Sequence, residues 1–204
     1  MNPRGLILLI GAALAGLVLF TAGLRAMPSR ERPLPVIATV PEFTLTSDRD
    51  LPVSRKDLLG SPWVVDLMFT SCAGICPRMT AELSRVEKAS RDVPEVRFVS
   101  ISVDPDRDTP EALAAYREKM GIETDRWYFL TGTQDEIFEL ASSGLLLPAK
   151  EGDPSIGQED VLHSSRFVLI DGQARIRGMY DSRDPEAIQR LQTDLRRVDD
   201  TPTS

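Results

Sequence analysis

WVVDLMFT (63–70) and VRFVSISV (96–103) are apolar and β-branched almost throughout, the pattern of strands buried on both faces. RFVLID (166–171) and ARIRGM (174–179) flank Gly172-Gln173, which predicts a hairpin. FTLT (43–46) and WYFL (127–130) are shorter strand candidates. Between these runs the apolar positions change to helical spacing. Pro77–Ser90 repeats them at Met79, Leu83 and Val86, and Pro110–Met120 opens on Thr109-Pro110-Glu111, a helix start. Gln134–Ser142 and Pro185–Val198 are amphipathic. The order β-α-β-α-β-α-β-β-α predicts an α/β sandwich with a mixed central sheet.

A different pattern fills the N-terminus. Gly5–Leu24 runs for twenty positions without a charge. At about 1.5 Å per residue it reaches about 30 Å, the thickness of a bilayer core, so one transmembrane helix is expected in residues 1–24. A cleaved leader has a shorter apolar stretch, about 7–15 residues, although Thr21-Ala22-Gly23 would serve as a cleavage site. No cysteine follows the run to carry a lipid. Arg25, Arg30 and Arg32 after the span outnumber Arg4 before it, which by the positive-inside count puts the C-terminal side in the cytoplasm. A short leading segment, one span and a large domain is the layout of exported anchored proteins, and export is the expectation. Pro28, Pro33 and Pro35 mark residues 25–40 as an extended spacer, followed by one domain over 41–198 and a loose tail at 199–204.

Charge separates these parts. Four arginines and one glutamate fall within residues 1–32, which leaves the rest of the chain at about −10. Neither nucleic acid nor anionic lipid is expected as the main partner of the domain.

The chemistry is concentrated in few residues. The chain has two cysteines, four apart in FTSCAGICPRM, and one histidine. Proline favours the first helical position, so Cys76 is expected near the N-cap of a helix starting at Pro77, with Cys72 in the loop before it. Helix N-terminal amides would lower the pKa of Cys76. The spacing allows a redox couple, a metal clamp or a permanent bridge; the last would close too short a loop to stabilise much. His163 stands before the strand at 166–171, after a long loop containing Pro148–Gly157. Two thiolates and one imidazole would make a three-coordinate site that suits copper better than structural zinc, which takes four protein ligands.

FTSCAGICPRMT (69–80), SVDPDRDTPE (102–111) and HSSRFVLID (163–171) resemble the three signature blocks of the Sco/SenC family. Its members are membrane-anchored, thioredoxin-like proteins that deliver copper to the CuA centre of respiratory oxidases. The resemblance implies a thioredoxin-like fold and copper ligands at Cys72, Cys76 and His163. It implies cytochrome c oxidase subunit II or a similar acceptor, and an upstream copper donor protein. It also implies a single-pass location in the bacterial inner membrane facing the periplasm, or the mitochondrial inner membrane facing the intermembrane space. Many members have proline straight after the first cysteine; Ala73-Gly74 here implies a more mobile loop.

Asp66 is the only charge in WVVDLMFT, six residues before Cys72. Thioredoxins resemble this chain in having a buried acid at that spacing. Burial would raise its pKa and suit it to exchange protons with the thiols; the alternative is a sheet-end carboxylate bonded to backbone amides. Asp104-Pro105 and Thr109-Pro110-Glu111 read as turn and helix-start chemistry. Three functions fit: a copper metallochaperone, a thiol–disulfide oxidoreductase that reduces the acceptor's cysteines, and a copper or redox sensor. His163 and the CxxxC spacing favour copper, since low-pKa redox pairs mostly have the shorter CxxC.

Overall fold

The long apolar runs lie side by side at the centre of one sheet. The structure is a computed structural model that describes residues 33–93, 95–147 and 164–199. Among these, eight strands form the sheet: β1 (Ala38–Thr39), β2 (Thr44–Ser47), β3 (Pro52–Ser54), β4 (Trp63–Met68), β5 (Arg97–Ser102), β6 (Trp127–Thr131), β7 (Arg166–Ile170) and β8 (Arg175–Asp181). Their spatial order is β1-β8-β7-β4-β5-β6-β2-β3. β4, β5 and β6 are parallel; the other pairings are antiparallel, so the sheet is mixed as expected. All six residues of β4 are buried, which is why its sequence shows no alternation.

The helices are α1 (Arg55–Leu58), α2 (Ile75–Ala89), α3 (Pro110–Lys119), α4 (Gln134–Glu139) and α5 (Pro185–Asp199); a π-helical turn, Leu140–Gly144, continues α4. The predicted stripe on α2 is buried at Met79, Leu83 and Val86, and Cys76 extends it. The Thr80 and Tyr116 hydroxyls meet at 2.9 Å, joining α2 to α3, and α5 packs on β8 and α2. Thr109 caps α3 by accepting from Ala112 N–H at 3.3 Å, with Pro110 in the first turn.

Three differences from the sequence reading have physical causes. β1, β3 and α1 are too short to show a period. β1 lies within the stretch read as spacer: Ala38 and Thr39 pair with β8, and Val40 is fully buried. Arg177 fastens this segment, donating to the Leu34 and Pro35 carbonyls and to Asp171 at 2.7 Å. An edge strand tolerates the flanking prolines. The hairpin between β7 and β8 is also wider than two residues. Ala174 takes the left-handed position at φ 58°, while Asp171 Oδ1 accepts from the Gln173 and Arg175 amides. Gly172 serves a close approach: a Cβ there would lie 3.0 Å from the Gly60 carbonyl carbon.

No helix of the described residues is long and apolar enough to cross a membrane. Gly5–Leu24, expected to do so, lies outside them, and so does His163.

Candidate functional site

The cysteine loop leaves the C-terminal end of β4 at the middle of the sheet. The Met68 carbonyl accepts from Val103 N–H at 2.9 Å, tying the strand end to β5, and Cys72 N–H closes a turn onto the Phe69 carbonyl at 3.3 Å. Gly74 is the N-cap of α2 and Ile75 its first residue. Cys76 therefore sits inside the first turn rather than at the cap. Pro77 fits one place further on because the first four helical N–H groups have no intrahelical acceptor to lose.

Cys72 and Cys76 are both free thiols; Cys72 is half-buried and Cys76 fully buried. Burial, and then the neighbouring Cys72 thiol, push the Cys76 thiol far above its usual range, against a Phe69 backbone hydrogen bond that lowers it. The expected lowering by the helix N-terminus is thus overturned. A helix dipole contributes up to about 2 kcal/mol, whereas full burial moves a pKa by up to about 3–5 units, each worth about 1.4 kcal/mol.

Asp66 lies mid-strand and fully buried, so the sheet-end alternative does not hold. Its Oδ1 accepts from the Ser100 hydroxyl at 2.6 Å, and Ser100 Oγ accepts from Trp127 Nε1 at 3.0 Å. Its Oδ2 has no hydrogen-bond partner. Burial pushes its pKa up to about 7, with the Ser100 bond opposing. The Asp66 charge contributes to the rise at Cys76.

One residue of the site was missed by reading the sequence. Asp108, which the sequence reading gave no role between the Asp104-Pro105 turn and the Thr109-Pro110-Glu111 helix start, is fully buried, and Thr109 does the capping. Asp108 turns instead to the cysteine loop. Its Oδ2 accepts from Thr70 N–H at 2.9 Å and from the Ser102 hydroxyl at 2.5 Å, and its Oδ1 from the Thr70 hydroxyl. An acid placed before a helix that already has its cap was the available signal.

Among the described residues, no group of three His, Cys, Asp or Glu side chains gathers to hold a metal. Ser164, bonded to His163, is buried and leads into β7. β7 pairs antiparallel with β4, Val65 opposite Val168 and Trp63 opposite Ile170. The start of β7 therefore lies toward the end of β4 from which the cysteine loop departs.

A family model described as SCO1/SenC matches residues 32–198. The chain is 33% identical over 144 residues to the SCO1 protein homolog of Bacillus subtilis, covering 70% of this chain and 73% of that one. Among solved structures it is similar to BsSco, described as a member of the Sco family of cytochrome c oxidase assembly proteins with a disulfide switch. That likeness has a TM-score of 0.74 and 28% identity over 84% of this chain and all of the other. It is also similar to Bradyrhizobium japonicum ScoI with copper bound, at TM-score 0.66 and 26% identity over 79% and 99% of the two chains.

Proposed function

Because this chain belongs to the SCO1/SenC family, we propose that it is a membrane-anchored copper metallochaperone that loads the CuA site of a respiratory oxidase. Cys72, Cys76 and His163 hold the copper, which comes from an upstream donor protein and passes to cytochrome c oxidase subunit II or a similar acceptor. The observation that carries this reading is the pair of free thiols, one half-buried and one buried, where the cysteine loop leaves the central strand. Two soft thiolates select Cu(I), and an imidazole extends the donor set to Cu(II). Binding displaces the thiol protons. Cys72, half-exposed, is the ligand that a donor or acceptor reaches first, while Cys76 holds the ion from within. The course of β7, which begins toward the same end of the sheet, supports His163 as the third ligand.

The difference in exposure favours one further reading, a thiol–disulfide oxidoreductase. There Cys72 thiolate attacks a disulfide of the acceptor, forming a mixed disulfide and releasing one acceptor thiolate. Cys76 then attacks the Cys72 sulfur and releases the second, so two electrons pass and the Cys72–Cys76 disulfide remains.

His163→Ala separates the two. It should weaken Cu(II) binding far more than Cu(I), leave disulfide exchange nearly intact, and abolish oxidase assembly. A Cys72→Ala/Cys76→Ala control should bind neither oxidation state. Normal oxidase assembly with His163→Ala would overturn the chaperone reading in favour of the reductase.

A further inference from the structure

We propose that Asp108 is a positioning residue for the cysteine pair: by holding both Thr70 donors and the Ser102 hydroxyl, its carboxylate fixes where the loop leaves β4 and so keeps the two sulfurs within reach of each other.

The loop needs such a fixture. Ser71, Ala73 and Gly74 are exposed, and a Cβ added at Gly74 would meet nothing within 4 Å, so packing does not set the path around Cys72. Thr70 lies two residues before Cys72, and both its N–H and its hydroxyl end on Asp108. The other side of the clamp is stiff. The Asp104 carbonyl accepts from the Arg107 and Asp108 amides at 3.2 and 2.9 Å, and Asp104 N–H donates to Ser102 Oγ at 3.1 Å. Ser102, the last residue of β5, also donates to Asp108. A rigid turn after one central strand thus grips the first residues after its neighbour. A carboxylate is suited to this because it only accepts, and here it faces three donors.

The two sulfurs act together, whether they close a disulfide or hold one ion, and their effective concentration depends on the loop's path. A hydrogen bond to a carboxylate is worth about tenfold or more in an equilibrium constant, so loosening the clamp should cost about that factor. Only the copper arm of the following test rests on the proposed function.

Thr70→Val keeps the shape and removes one donor, whereas Thr70→Ser keeps both. In full-length protein, the equilibrium between the Cys72–Cys76 dithiol and its disulfide is measured against glutathione, and Cu(I) affinity by competition with a chromophoric chelator. With Thr70→Val the disulfide equilibrium constant should fall about tenfold and the Cu(I) dissociation constant should rise about tenfold. Thr70→Ser should remain within about twofold of the parent in both. Asp108→Asn should fall between them, since its amide oxygen still accepts while the Thr70 hydroxyl reverses to accept from its NH2 group. A disulfide equilibrium that changes less than about threefold in folded Thr70→Val, or that changes equally with Thr70→Ser, overturns the proposal. If the parent binds no Cu(I), the copper reading fails, and the glutathione measurement still decides the role of Asp108.

Discussion

Asp66 shows at the scale of one residue how far a buried environment can displace a group. The lone acid in an apolar run was legible in the sequence, with a raised pKa as one of two open readings. Its full burial, with Oδ2 left without a partner, was not, because Ser100 and Trp127 come from strands 34 and more residues away. The sign of its effect on stability follows from linkage. The carboxyl titrates at 3.8 by its ordinary value and at about 7 in the fold. Between those values the folded chain holds a proton that the unfolded chain has lost. Its contribution is therefore fully present below about pH 4 and is lost as pH rises through about 7, by up to about 4 kcal/mol. Asp66→Asn should remove this slope and be more stable than the parent at pH 8, as measured by urea unfolding at pH 5 and pH 8. An unchanged difference between the two proteins at both pH values would refute the assignment. Cys76 carries the opposite lesson. Its helix was foreseen, but the dipole argument counted the helix end and not the core beneath it.

At the scale of elements, α2 links the cysteines to a cap at its other end. Arg126, just before β6, donates to the Glu87, Ser90 and Val93 carbonyls and to the Glu87 carboxylate at 2.6 Å. Glu87 lies in the last turn of α2 and Ser90 is its C-cap. Each of the three carbonyls also accepts one backbone amide, from Ser90, Val93 and Val96, and Glu87 is nearly buried. Arg126→Ala strands that carboxylate and should destabilise the domain by about 2–4 kcal/mol. A second change, Glu87→Gln, should recover part of the loss, and thermal unfolding of the single and double variants tests both statements. Nothing in the sequence announces this cap, since its partners are 33–39 residues apart. Elements long enough to show a continuous apolar run, β4 and β5, or a helical period, α2, α3 and α5, were placed to within about two residues, within the usual spread of boundary assignments. The start of α2 moved from Pro77 to Ile75 because proline is accommodated throughout a first turn. β1 and β3, two and three residues long, left no pattern at all and are defined by the strands they pair with.

At the scale of the whole molecule, the cysteines stand on an interior strand, while the chain joins the sheet through an edge. Leu34 and Pro35 are fastened by Arg177, and β1 closes one side of the sheet. The cysteine loop and the point where the described chain enters the sheet are therefore on different strands. The charge of about −10 beyond residue 32 opposes adhesion to an anionic bilayer surface. The proposed membrane association would then rest on Gly5–Leu24 and not on electrostatic attraction. The full chain, expressed in a bacterium, should stay in the membrane fraction through washes in high salt and alkaline carbonate, while the chain truncated before Arg25 should remain soluble. Orientation sets the positive-inside count, which Arg25, Arg30 and Arg32 tip toward a cytoplasmic domain, against the exported layout of a short leader and a single span. Copper delivery to an oxidase needs the domain outside the cytoplasm. Protease added to spheroplasts should therefore digest the domain of the full chain while a cytoplasmic marker stays intact. A domain protected until the cells are lysed would place it on the cytoplasmic side and remove the proposed acceptor from its reach.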